Sequence, residues 1–236
     1  MDGRLVPQTP MRRAVARRMT DSKQQAPHFY VQTEVAMGAL NALLEEENAR
    51  AEVRITATAA LALGCAAALR AQPRFNAVWT DDGLLEVDEV NVGIAIALEG
   101  GLIAPALLGA DRLDLAGAAA ALRDLVERAR GGKLRAAEIN DATFTLSNLG
   151  MFDVSAFTAI VTPPQVGILA TGRAVERLAL VDGQPKSVSV LTATLSADHR
   201  AVDGADAARF LEAFKAAIEQ PGSLLTGSEQ LEEARS

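Results

Sequence analysis

The chain has 236 residues, 49% of them hydrophobic, and a formal net charge of −7. That length holds one large domain or two small ones, and that apolar share suffices for a sizeable core. The acidic balance, without a basic stripe interleaved with aromatics, excludes a nucleic-acid binder, and no apolar run reaches the roughly 18 residues that span a bilayer. No secretory signal is visible at the start. The single cysteine, Cys65, cannot form an internal disulfide and fits a reducing, cytoplasmic setting. Two histidines and one cysteine, widely separated, do not make a metal site.

Residues 1–6 lack periodicity and read as a linker edge. Thr9-Pro10 starts a helix, threonine as its cap and proline at the first helical position. Met11, Ala14, Val15 and Met19 then share one face, with Arg12, Arg13, Arg17 and Arg18 around them, and Pro27 ends the pattern. Residues 28–35 read as a strand, 40–50 as a short amphipathic helix, and 56–71 as an Ala-rich buried helix closed by Pro73. Cys65 lies inside that helix, which predicts an inert buried thiol. Asp81-Asp82-Gly83, between 75–79 and 84–87, signals a hairpin.

Residues 90–98 alternate as one strand. Glu99-Gly100-Gly101 turns it into a second over 102–108, with Pro105 marking an edge or bulge. Asp114 caps a long helix to Arg130, and Gly131-Gly132 stops it. Further strands are predicted over 142–146, 166–175, 178–181 and 187–195, with turns at Pro163-Pro164 and Asp182-Gly183. A last helix runs over 204–219. Strands and helices mix without strict alternation, so one α/β domain with a mixed sheet is expected rather than a doubly wound one. The glycine pairs read as turns, not phosphate cradles.

Two stretches carry chemistry. In Leu195-Ser196-Ala197-Asp198-His199-Arg200-Ala201-Val202-Asp203-Gly204, a histidine sits where a strand ends and a helix is about to begin. A neutral imidazole there can act as a general base near pH 7. It can equally be a partly buried structural residue, with Asp203 as a helix cap. Asp203 can also orient the loop or bind a neighbouring cation. In Thr143-Phe144-Thr145-Leu146-Ser147-Asn148-Leu149-Gly150, an apolar strand ends in small polar residues. Ser147 is either a turn residue or a hydroxyl held at a site edge, able to donate to an oxyanion.

Together with 157–165, Thr9 to Met19, Ser22 to His28, Arg74 to Trp79 and Asn91 to Ala95, these stretches resemble the catalytic core domain of dihydrolipoamide acyltransferases. Those are the acyltransferase components of 2-oxo acid dehydrogenase complexes. The likeness runs in order over 7–225 and leaves 226–236 as a polar tail. It implies a two-layer α/β sandwich with a mixed β-sheet, chloramphenicol acetyltransferase-like, assembled as a homotrimer with active sites between subunits. The implied reaction moves an acyl group between dihydrolipoamide and coenzyme A. His199 would be the general base, Ser147 the oxyanion donor, and Asp203 a carboxylate that orders the histidine loop through an ion pair with an arginine, with the first helix offering candidates. The implied partners are a lipoyl domain, on a separate domain or chain, and the dehydrogenases of the complex. No metal, nucleic acid or membrane is implied. His28 is expected to be structural.

Ser147-Asn148-Leu149-Gly150-Met151-Phe152 resembles the acetyl-transferring, pyruvate-type branch more than the succinyl-transferring one. The chain departs from the family in three ways. It carries no lipoyl or subunit-binding segment. Asp153 stands where glycine is usual, and Ala97-Leu98-Glu99 replaces more polar residues. A charged tail follows Leu224-Leu225, where the family's apolar end knits trimers into cages, so a trimer without a cage is expected. The alternatives are a non-catalytic scaffold paralogue, or a coenzyme A-dependent acyltransferase with another acceptor.

Overall fold

The structure, a computed structural model, describes residues 3–98, 100–181 and 183–226. The turn residues Glu99 and Asp182, and the expected tail beyond Thr226, lie outside them. Short polar residues open most of the helices. Thr9 Oγ1 accepts the Arg12 amide at 3.1 Å and starts α1 (Pro10–Gln25). After α2 (Gly38–Asn48), Thr56 caps α3 (Ala57–Ala71) through the Ala59 amide. Asp114 caps α4 (Leu115–Arg130) through Gly117. One short helix was not foreseen, α5 (Ala136–Asn140), whose buried Glu138 accepts from the Arg135 amide and pairs with Arg128. Asp203 caps α6 (Gly204–Glu219).

The strands are β1 (His28–Ala36), the hairpin β2 (Ala77–Thr80) and β3 (Gly83–Glu86), then β4 (Val92–Ile94), β5 (Ile96–Leu98), β6 (Gly101–Ile103) and β7 (Ala106–Leu107). After them come β8 (Phe144–Asn148), β9 (Gly167–Thr171), β10 (Val175–Val181) and the long β11 (Gln184–Asp198). The main sheet runs β1-β11-β9-β8-β4-β7, with β10 also on β11. Pairs β4-β8 and β8-β9 are parallel and the rest antiparallel, so the sheet is mixed as expected.

Three predicted strands divide differently. The run 90–98 leaves the main sheet at Ala95, whose amide bonds Leu146 O, so β4 and β5 belong to different sheets. The run 102–108 breaks before Pro105, whose carbonyl accepts from Ile94 while its ring nitrogen has no hydrogen to give a ladder. The run 166–175 stops at Thr171, because the next residue is pressed against the segment ahead of it. A Cβ on Gly172 would lie 2.2 Å from Ser155 O, and Arg173 N bonds Val154 O. Only glycine fits that approach.

Helices α3 and α6 cover one face of the sheet. Leu61 and Leu69 of α3 are fully buried, as are Phe210 and Phe214 of α6. Each such side chain contributes roughly 1.5–3 kcal/mol by leaving water. Gly64 lets the two helices close up, since a Cβ there would meet Ile218 at 2.8 Å and Phe214 at 3.1 Å. Cys65 is buried in the same seam, and burial pushes its thiol pKa up, far from any nucleophilic use. No described helix is long and apolar enough to cross a membrane.

The opposite face is only partly covered. The segment before β9 lies over its β11 side, held by Ser22 Oγ donating to Val161 O at 2.6 Å. His28 fastens the same segment, its Nε2 accepting from Val161 N at 3.0 Å and its Nδ1 lying 2.7 Å from Ala26 O. Both ring nitrogens of His28 are therefore engaged in holding backbone, the structural role expected of it. Ser22 is the one buried residue of α1. Between α1, the β5-β6 hairpin and the sheet lies a cavity of about 1030 Å³, with Met11, Val15 and Met19 facing it from α1.

Candidate active site

Strand β11 pairs with β1 over nine residues, from Ala36↔Val190 to His28↔Asp198, and His199 is the first residue beyond its end. The ladder continues through one further bond, His199 N to Pro27 O at 3.0 Å. The strand thus fixes the backbone while the imidazole stays exposed. The ring packs against Phe29 with centroids 4.6 Å apart, on the helix-covered side of the sheet.

The turn that follows is tied to its own side chains. Asp198 is 2% exposed and accepts from Arg200 N at 3.0 Å, Arg200 Nε at 3.0 Å and Arg200 Nη2 at 2.6 Å. Hydrogen bonding to Asp198 raises the Arg200 pKa further, so the guanidinium is charged at every working pH. Its Cζ lies over the Trp79 ring, 4.7 Å from the centroid. Ala201 N and Val202 N donate to Asp198 O, and Arg74 Nη2 donates to Ala201 O at 3.0 Å.

Asp203 acts as a helix cap. Its carboxylate accepts from Ala205 N at 2.8 Å and Asp206 N at 3.0 Å, while Asp206 accepts in return from Asp203 N. Those bonds, from Asp206 first and Ala205 next, hold its pKa below the ordinary aspartate value. Among the described residues no arginine of α1 pairs with Asp203: Arg18 donates to Pro163 O, and the cations whose charge reaches Asp203 are Arg209 and Arg74. Asp198 pairs with Arg200 inside the motif itself, and Arg74 and Arg209 pair with Asp206 at the start of α6. An aspartate at a helix start has two amide donors at hand, which satisfy it without a side-chain cation.

Ser147 is positioned differently. It lies within β8, between β4 and β9, and pairs with Ala170, which pairs in turn with Thr194 of β11. Leu146, Leu169 and Leu195 alternate with them onto the helix-covered face and are fully buried. Ser147 therefore points to the opposite face, where it lines the cavity. Thr145, one step along the same face, donates to Gln165 Oε1 at 2.6 Å, and Gln165 Nε2 reaches Ala142 O at 3.0 Å. On the other side of the strand, Asn148 Nδ2 donates to Thr58 Oγ1 of α3 at 3.0 Å.

These registers separate the candidates. Ser147 is level with Thr194, five residues before His199 on β11 and two strands away. At about 3.3 Å per residue and about 4.8 Å per strand, their backbones are roughly 19 Å apart. An odd number of steps also turns the two side chains to opposite faces. The chain brings His199 and Asp203 into a single loop and leaves Ser147 outside it.

Asp198, Arg200, Trp79 and Phe29 were not singled out as site residues from the sequence. The adjacency Asp198-His199-Arg200 and the lone tryptophan were the available signals.

The chain superposes on a chloramphenicol acetyltransferase with a TM-score of 0.56 at 15% identity over 89% of this chain and 94% of that one. That likeness speaks for the fold alone. The chain belongs to the 2-oxoacid dehydrogenases acyltransferase (catalytic domain) family, whose description matches residues 2–226.

Among its relatives is the dihydrolipoyllysine-residue acetyltransferase component of the pyruvate dehydrogenase complex of Zymomonas mobilis, 39% identical over 218 residues. The match takes in 91% of this chain and 50% of that protein, so the chain spans about half the length of this relative. The dihydrolipoamide acetyltransferase of Azotobacter vinelandii superposes with a TM-score of 0.90 at 30% identity, over 95% of this chain and 94% of that one. That structure addresses the catalytic role of a serine, a histidine 52 residues later and an asparagine four residues after that. Ser147, His199 and Asp203 stand at the same two spacings, with aspartate in the third place.

Proposed function

We propose that this chain catalyses reversible acyl transfer, with acetyl as the group, between the thiol of a dihydrolipoyl arm and coenzyme A. The observation that carries the reading is the shared serine–histidine spacing with the Azotobacter enzyme, on the same fold.

His199 takes the proton from the coenzyme A thiol, whose pKa of roughly 8.5 leaves little thiolate at neutral pH. The thiolate attacks the thioester carbonyl of the acylated dihydrolipoyl arm. Ser147 donates to the resulting oxyanion. Collapse breaks the bond to the dihydrolipoyl sulfur, which recovers the proton from the imidazolium. Acyl-coenzyme A and dihydrolipoamide leave, and the base is regenerated. Asp203 holds the helix start after the histidine loop and does not touch the reacting atoms.

The two half-sites of one protomer are too far apart to act together. The reading therefore requires His199 of one copy to face Ser147 of the next, in a homotrimer in which each pair of neighbours completes one site. The lipoyl arm comes from another domain or chain and enters the cavity that Ser147 lines. The partner dehydrogenases of a pyruvate dehydrogenase complex, in a cytoplasmic setting, belong to the same proposal. Domain limits of 7–225 fit it, because β1 and α6 lie inside them.

Complementation tests the shared site. His199→Ala and Ser147→Ala chains, each inactive in acetyl transfer from acetyl-coenzyme A to dihydrolipoamide, are unfolded, mixed and refolded together. If sites form between copies, random mixing restores about a quarter of the sites. No restoration in folded mixed trimers overturns the shared site.

A further inference from the structure

We infer that Trp79, outside the catalytic motif and 120 residues before the histidine, is a positioning residue for His199. The inference rests on the reading of His199 as the general base, and deepens it.

The physical argument starts at Asp198. Its buried carboxylate faces the side of the sheet opposite His199, because the two residues are consecutive in an extended chain. A buried carboxylate needs a paired cation to stay charged and in place. Arg200 supplies it, yet the Arg200 side chain is one-third exposed and long enough to exchange Asp198 for water. Trp79 limits that exchange by stacking under the guanidinium, leaving the edge of the fork for the carboxylate.

Trp79 is itself held. Its amide donates to Pro164 O at 2.8 Å, and its neighbour Val78 bridges to Gln165. It lies in the β2-β3 hairpin, whose base is fastened by Asn76 Nδ2 donating to Glu89 O. The line Trp79–Arg200–Asp198 thus clamps the residues on both sides of His199, while Phe29 limits the ring from the other face. A base held this way meets the coenzyme A thiol at a fixed angle; a base on a loose turn samples angles that do not react. A clamp that acts on the loop and not on the substrate governs turnover rather than binding.

The test compares Trp79→Leu, Trp79→Phe and Arg200→Lys with the full unmodified chain, using acetyl-coenzyme A and free dihydrolipoamide. Trp79→Leu lowers kcat by about fivefold to tenfold, leaves KM for acetyl-coenzyme A within about twofold, and keeps its oligomeric state. Arg200→Lys, which keeps the charge but loses the flat face, behaves like Trp79→Leu. Trp79→Phe, which keeps a stacking surface, recovers most of the turnover.

Because Trp79 is the only tryptophan, its emission reports the stack directly. Arg200→Met shifts that emission in the folded protein. Turnover of Trp79→Leu within twofold of the unmodified chain overturns the role. So does a loss in Trp79→Phe equal to that in Trp79→Leu and matched by lost folded protein, or an unchanged emission in Arg200→Met. Full activity in His199→Ala sinks the base assignment and the positioning role with it. Lost activity in His199→Ala beside undiminished turnover in Trp79→Leu sinks the positioning role alone.

Discussion

The His199 turn and the Ser147 strand hold their functional groups by opposite means. His199 stands beyond the end of β11, and its surroundings are side chains: Asp198 bound to Arg200, Arg200 on Trp79, the ring on Phe29, Arg74 on the Ala201 carbonyl. Ser147 stands inside β8, paired with Ala170 of β9 and one residue past the last β4 register at Leu146, and backbone pairing sets the face it points to. A group on a turn depends on many separate residues and can be loosened by any of them. A group on a central strand moves only if the sheet moves. The difference suits the proposed chemistry: the base must meet an incoming thiol and return a proton, whereas the oxyanion donor needs only a fixed direction.

The largest effect expected from breaking this contrast comes from His199, the residue proposed as the base. His199→Ala lowers kcat for acetyl transfer by about 10²–10⁴-fold, with the melting temperature little changed because the ring is exposed. Steady-state kinetics and a thermal melt on the same sample check both halves.

Ser147→Ala comes next. Its kcat falls by about 10²–10³-fold, while KM for acetyl-coenzyme A stays near its original value, since the hydroxyl acts on charge that exists only during the reaction. A rise in KM with kcat unchanged would make Ser147 a binding residue instead.

A third change removes the contrast by striking beneath both regions. Phe210 of α6 is fully buried, with its ring 4.9 Å from Phe75, which leads into the Trp79 hairpin, and 5.1 Å from Phe144 at the start of β8. Phe210→Ala destabilises the fold by about 3–5 kcal/mol in urea unfolding. Activity then falls with the folded fraction, without the selective kinetic signature of either half-site.

The smallest effect sharpens the account of Asp203. Asp203→Ala lowers the melting temperature by about 2–4 °C at pH 7, and Asp203→Asn does not, because asparagine caps a helix equally well. The Asp203 pKa is depressed in the folded chain, so its ionised cap stabilises the fold above the unfolded value. That contribution is lost as pH falls below about 3.9 and through the depressed value. Comparing the melts of the unmodified chain and Asp203→Asn from pH 7 to pH 3 measures it. The two coincide at neutral pH and the asparagine chain gains the advantage in acid. Coincident melts throughout would mean that the carboxylate charge adds nothing to the cap.

Much of the local structure was readable from residue order. Thr9-Pro10, Thr56, Asp114 and Asp203 each open a helix where read, because a cap is satisfied by amides only two or three residues away. The α3 and α6 helices were legible from apolar spacing, but not their packing against each other. The motif around His199 was legible as a strand end meeting a helix start. Its partners were not. No arginine of α1 pairs with Asp203 among the described residues; Arg200 binds the neighbouring Asp198, and the tryptophan beneath it lies in a hairpin far away in sequence.

What residue order determined here is therefore short in range: caps, turns, helix faces, and the family to which its motifs are similar. What tertiary structure settled is which strand lies beside which. The break at Ala95 that sends β4 and β5 into different sheets, the cavity under α1, and the placing of Ser147 and His199 on opposite faces all follow from pairing between distant segments. A strand's period of two tells which residues share a face, but the register with its neighbours decides which face that is and what lies across from it.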